Sequence, residues 1–399
     1  MKIHNNRKNC LYPCGASAFA AACALGIVLS VSFSQEVFAD SPPFAYTEEQ
    51  WARLRDNTLE FDEIADLIHE YNSTVKKNAI AYEDYKGKDS DEIAQEYYDT
   101  ADEIYSSIEY PDSDDSNYGS RLASAQSSEM SADQMMERGD ENVTDSDTVL
   151  WGYQKTEKSL VQSAQKQMVS YWNSVVSLES TKNAVAKAET ALEIAKTKAA
   201  AGSVTQTEVL TAMETLFHAQ ANITTAESNI ASTKEKLCLS MGWSYGADAE
   251  IGALPEPAVS YSSTIQLEED IAKAVENNYD LKILNRQVKN ARTYTVQSSY
   301  ETTLKSSEEA VKSNVKSAYQ SLLLAELQYE QVMKSFVLAE KNMQTADRKK
   351  AAGTISANAY QTQQYTYVDA KVQKETAAIS LLKAQLAYQW AVDGLASSV

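Results

Sequence analysis

An apolar repeat with spacings of three and four residues runs unbroken through Val311, Val315, Ala318, Leu322, Ala325, Tyr329, Val332, Phe336, Ala339, Met343 and Ala346. Five heptads in one register confine this stretch to a long helix. The 3.5-residue period keeps a single stripe turned toward a partner, as in a coiled-coil seam. A second run reads Val209, Ala212, Leu216, Ala219, Ile223, Ala226, Ile230, Thr233 and Leu237. A lone helix of this kind is unstable in water, so each seam calls for a second helix. Only 12 Gly and 6 Pro in 399 residues leave few places to break such helices. The predicted fold class is all-α, with long coiled-coil hairpins.

The breaks that do occur are paired. Residues 155–201 read as helix, followed by Gly202-Ser203 and then the Val209 run. Residues 311–352 read as helix, followed by Gly353-Thr354 and a helix over 359–395. A glycine takes the left-handed conformation that closes a helix at little cost. Thr205 and Ser356, two positions past Ser203 and Thr354, can each cap the next helix through a hydroxyl. Links this short between long helices predict antiparallel hairpins. The predicted tips are Ala201, Gly202, Ser203, Val204 and Thr205 in one hairpin and Ala352, Gly353, Thr354, Ile355 and Ser356 in the other.

Aligning the two glycines exposes an internal repeat. Lys198-Ala199-Ala200-Ala201-Gly202-Ser203-Val204-Thr205 matches Lys349-Lys350-Ala351-Ala352-Gly353-Thr354-Ile355-Ser356. Upstream, Glu70-Tyr71-Asn72 parallels Glu276-Asn277-Asn278, each closing a short acidic helix. The order is the same in both halves, so the chain is a duplication. The expected organisation is a leader (1–39), an N-terminal segment (40–58), a first repeat (59–252), a linker (253–263) around Leu254-Pro255-Glu256-Pro257 and a second repeat (264–399). The first repeat carries an insert, 82–150, with 20 acidic and 4 basic side chains. Within it, 91–108 reads as helix and 111–147, rich in Ser, Asp, Asn and Gly, as a flexible loop. The matching stretch of the second half, 291–307, reads as a short polar link.

The N-terminus has the layout of a secretory signal. Lys2, Arg7 and Lys8 precede an uncharged apolar run, and Val37-Phe38-Ala39 offers small residues for cleavage before Asp40. An uncleaved anchor is the competing reading, since the run approaches the length of a membrane span. Three of the four cysteines lie in this leader, which leaves Cys238 alone, a packing residue without a disulfide partner. The whole chain carries −20; removing Lys2, Arg7, Lys8 and Glu36 with the leader leaves −22 on residues 40–399. Such a surface disfavours nucleic acid and anionic lipid as partners. The rest of the chain shows no paired cysteines, zinc-binding His pair, nucleophile elbow or phosphate loop, so no enzyme activity and no cofactor is expected. Asp112-Ser113-Asp114-Asp115-Ser116-Asn117 lacks the Gly and Glu of a calcium loop and reads as a solvated acidic turn. The insert tyrosines Tyr97, Tyr98, Tyr105, Tyr110 and Tyr118 offer either a contact surface or packing of the 91–108 helix on the bundle.

A unit of short helix ending in Glu276-Asn277-Asn278-Tyr279-Asp280-Leu281, then a hairpin turning at Ala201-Gly202-Ser203-Val204 or Ala352-Gly353-Thr354-Ile355, occurring twice, resembles the TolC family of outer-membrane efflux proteins. The resemblance implies a homotrimer whose hairpins close into a helical tunnel. It also implies docking of the hairpin tips on a membrane-fusion adaptor protein that works with an ABC-type or other efflux pump. That family inserts membrane strands where this chain has 82–150 and 291–307, and neither stretch alternates as a barrel strand does. The expectation is therefore a barrel-less, Gram-positive-type member, exported to the cell envelope or cell surface, or to the outer membrane where the organism has one. The competing reading is a non-transport structural or adhesive coiled-coil surface protein.

Overall fold

In the computed structural model, which describes residues 45–398, most of the described residues are helical. The leader and its cleavage site lie outside the described residues. Five helices precede the first long hairpin: α1 (Glu48–Leu54), α2 (Ile64–Tyr71), α3 (Ser73–Tyr82), α4 (Ser90–Ser106) and α5 (Tyr118–Asp140). The first hairpin is α6 (Ser146–Ala200) with α7 (Gln206–Ser240). The second half repeats the order with α8 (Leu267–Asn277), α9 (Tyr279–Asn290), α10 (Tyr294–Ala351) and α11 (Ala357–Trp390). Two strands of two residues each, β1 (Thr58–Leu59) and β2 (Glu250–Ile251), pair in parallel and tie the start of the first half to its end. The described residues belong to one compact unit.

All eleven positions of the Val311 run and all nine of the Val209 run are buried or half-buried. The seams therefore face their hairpin partners. Val311, Val315 and Leu322 share a core with Leu381 and Tyr388 of α11. The first arms are longer than the heptads alone foretold. α6 has 55 residues and α10 has 58, roughly 80–90 Å each at ~1.5 Å per residue. The stretch 291–307 is therefore a correction: Thr293 caps α10 through the Val296 N–H, and the helix is already running at Tyr294. Its first turns are largely exposed, which is why they carry no seam to read.

The short helices pivot on matched asparagines. Asn72 and Asn278 are buried, and each side-chain oxygen caps the next helix, at the Thr74 N–H (2.9 Å) and the Leu281 N–H (3.1 Å). Each amide nitrogen donates to the chain leaving a return helix, Asn72 to the Ser240 carbonyl and Asn278 to the Ala396 carbonyl, both at 2.9 Å. Two glycines close the same junctions. Gly242 (φ +82°) and Gly394 (φ +102°) lie so near the carbonyl oxygens of Tyr71 and Asn277 that a Cβ would come within 2.6 and 2.5 Å. Gly242 lies 40 residues past its tip glycine and Gly394 lies 41 past its own. The additional residue fits the widened π turn at Ala391–Leu395.

The insert is not a loop over 111–147. Its second part is α5, packed along α4 as a helical hairpin. Ala125, Ala132 and Gly139 of α5 are buried, as are Ala94 and Ala101 of α4. These small residues, seven apart on each helix, let the backbones approach closely. Tyr98, Tyr105 and Tyr110 reach across to Asp140 (2.8 Å), Asp133 and Glu129 (3.0 Å) in antiparallel order. They link the two insert helices instead of packing α4 on the bundle. The bond to Asp133 pushes the Tyr105 hydroxyl up to about 12. The second half grips the root of the insert. Arg292 donates to Asp91 (2.7 Å) and to the carbonyls of Ser90 (3.0 Å) and Gly139. Arg286 and Asn290 converge on Asp145, the cap of α6. Burial pushes the Asp145 carboxyl up, but Asn290, the Thr148 N–H and Arg286 outweigh it and hold the group below its ordinary value.

Candidate functional site: the two hairpin tips

The ten tip residues singled out in the sequence form two turns of the same geometry. At the first, Ala201 caps α6 and Gly202 takes φ +68°. The Gly202 N–H donates to the Ala199 carbonyl (2.9 Å) and the Ser203 N–H to the Lys198 carbonyl (2.8 Å). At the second, Ala352 caps α10 and Gly353 takes φ +67°. Its N–H donates to the Lys350 carbonyl (3.0 Å), and the Thr354 N–H donates to the Lys349 carbonyl (2.8 Å). Both are Schellman closures, which satisfy the last carbonyls of a helix. A Cβ on either glycine would meet nothing within 4 Å. The requirement for glycine is therefore the left-handed backbone alone.

Thr205 accepts from the Glu208 N–H (3.4 Å) and Ser356 from the Ala359 N–H (3.2 Å), so the predicted caps start α7 and α11. Val204 and Ile355 are half-buried, and the other eight tip residues are exposed. Each tip thus presents a small, backbone-rich surface around one partly sheltered β-branched side chain.

The long helices form a single layer in the order α7–α6–α11–α10. Within each hairpin the seam is mainly apolar, whereas the α6–α11 contact between hairpins carries a run of hydrogen bonds and ion pairs. Asn183 donates to Asp369 (2.7 Å) and to the Tyr365 carbonyl (3.0 Å), Lys187 pairs with Asp369 (2.5 Å), and Lys371 pairs with Glu179 (3.1 Å). Nearer the tips, the Tyr365 hydroxyl meets Thr190 at 2.7 Å and donates to the Ala186 carbonyl at 2.9 Å. Thr190 lies 12 residues before Gly202 and Tyr365 lies 12 after Gly353, so the two tips end level. Sequence reasoning missed this polar seam, because heptad reading follows apolar positions.

No protein-family model matches the sequence, and no curated protein matches it. Among solved structures, the outer-membrane channel OprN, of the TolC family, aligns with a TM-score of 0.52 over 88% of this chain and 93% of that chain. The fold is TolC-like. Sequence identity with OprN is 10%, so the likeness is one of fold. The CmeC outer membrane channel of Campylobacter jejuni aligns over 92% of this chain and 91% of that chain, at 12% identity and a TM-score of 0.47. The VceC outer membrane protein of Vibrio cholerae aligns over 84% of this chain and 96% of that chain, at 11% identity and a TM-score of 0.46. Within this TolC-like fold, the two stretches read in the sequence as standing in for membrane strands are helical: 82–150 holds α4 and α5, and α10 begins at Tyr294.

Proposed function

We propose that this protein is a TolC-like component of an envelope export system. Three copies close through α7 and α10 into a helical conduit. The tips Ala201–Thr205 and Ala352–Ser356 dock on a membrane-fusion adaptor that serves an ABC-type or other efflux pump. One observation carries this reading. On the four long helices, large exposed apolar side chains occur only on the two edges, at Leu210, Phe217 and Leu239 of α7 and at Tyr294, Leu324, Leu327, Val337 and Leu338 of α10. A layer with water-averse edges and a polar middle seam is suited to closing edge to edge with further copies. The helical α4–α5 arm in place of strands supports a location in the envelope or at the cell surface, without a barrel contributed by the described residues.

Deletion of the gene, followed by measurement of dye and peptide accumulation, tests the reading. Accumulation is expected to rise and to be reversed by the wild-type chain. Gly202→Gln together with Gly353→Gln should fail to reverse it while keeping full helicity by circular dichroism. Unchanged accumulation, with a purified chain that sediments as a monomeric rod, would favour the structural or adhesive reading, to which the acidic arm is also suited.

A further inference from the structure

Resting on the docking reading above, we infer that the tips recognise an acidic partner: a helical hairpin whose turn carries carboxylates. The charge of the molecule is divided along its length. The insert, rooted where α6 begins, holds 20 of the 56 acidic residues. The windows around the tips, at the far ends of α6 and α10, hold none, with Glu193 and Glu208 bordering the first and Asp347 and Asp369 the second. Residues 194–207, around the first tip, contain Lys196 and Lys198 and no carboxylate. Residues 348–368, around the second, contain Arg348, Lys349 and Lys350 and no carboxylate, in a chain where one residue in seven is acidic.

Helix dipoles account for part of this pattern only. Cations in the last turns of α6 and α10 face the negative ends of those helices, as the dipole favours. The same argument favours acids in the first turn of α11, and that turn has none. The positive field at the second tip is therefore stronger than helix stability asks for. Lys350 is held over the Tyr360 ring at 3.9 Å, and the Tyr360 hydroxyl donates to Asp347 at 2.8 Å. Lys198, Arg348 and Lys349 stand outside every ion pair of the described residues and are exposed. Lys198 and Lys349 occupy the same position of the repeat, so each tip offers a cation, a hydroxyl (Ser203 or Thr354) and a half-sheltered Val204 or Ile355. An acidic turn with a small apolar contact complements that set. Rim charges of this kind steer encounter and choose partners.

The test places the photo-crosslinking residue p-benzoylphenylalanine at Ser203 or Thr354 of the full chain in its native host. Captured peptides are then identified. The expected capture is a turn between two long helices with net negative charge. In binding to that captured protein, Lys198→Glu with Lys349→Glu should weaken affinity about tenfold at low salt and less at about 0.5 M salt. Reversing the partner's turn carboxylates to lysine should restore it. A captured turn that is neutral or basic, or charge reversal without effect, overturns the inference and leaves the docking reading standing. Capture of lipid, with binding to vesicles containing phosphatidylglycerol, assigns the cations to a membrane surface and also overturns it. No capture at either tip overturns both.

Discussion

His69 of α2 meets Glu157 of α6 at 2.9 Å, and this contact makes a small part of the stability depend on pH. The hydrogen bond to Glu157 raises the His69 pKa, burial opposes it, and the nearby Glu70 and Asp66 add to the rise. A histidine whose folded pKa exceeds its unfolded value of ~6.5 contributes fully below that pH. The contribution falls as pH rises through the folded pKa and is gone above it. Because both side chains retain some solvent contact, the expected loss is under about 1 kcal/mol. Urea unfolding of the wild type between about pH 6 and 9 should show this decline, and His69→Gln should flatten it. A wild-type stability that rises over that window would contradict the assignment. Cys238, by contrast, is inert by position: it is buried, and burial pushes its thiol up.

The α4–α5 arm shows what periodic reading sees and what it overlooks. The long hairpins were legible because large apolar residues recur at heptad spacing and because glycines at 202 and 353 interrupt them. Helix α5 has the same period in small residues, Ala125, Ala132 and Gly139, and its polarity masked it as a loop. The tyrosines and carboxylates of the ladder repeat at seven as well: Tyr98 and Tyr105, Asp133 and Asp140. The clamp by Arg286, Asn290 and Arg292 was beyond sequence reading, since it joins residues about 150 to 200 apart and no local period records such a contact. Close approach of the two helices predicts a strong size limit. Ala132→Leu inserts three carbons where the neighbouring helix already touches, at a cost of about 1–3 kcal/mol. Hydrogen exchange should show α4 and α5 losing protection together, with α10 and α11 unchanged. Full protection of both insert helices in the variant would mean that the arm is not held by this contact.

At the scale of the molecule, the two halves share several matched parts and differ in one. The matched parts (Asn72 with Asn278, Gly242 with Gly394, Gly202 with Gly353) hold the two hairpins at equal height and give two like tips. The unmatched part, the acidic arm, leaves the bundle at the opposite end. Between those ends, the polar α6–α11 seam is already satisfied within one chain, while the edges are not. Phe217 is 63% exposed and Leu327 is 64% exposed, values that no large apolar side chain of α6 or α11 approaches. If the edges join copies of this chain, a charge there should separate them without unfolding the hairpins, whose seams lie on other faces. Phe217→Glu with Leu327→Glu is expected to shift the sedimenting species from trimer to monomer at micromolar concentration. The variant's thermal midpoint as a monomer should stay within about 2 °C of the wild-type monomer, since exposed substitutions away from the seams change stability little. A trimer that survives both charges would place the contact elsewhere. A chain that loses helicity would show instead that these side chains belong to the folded core.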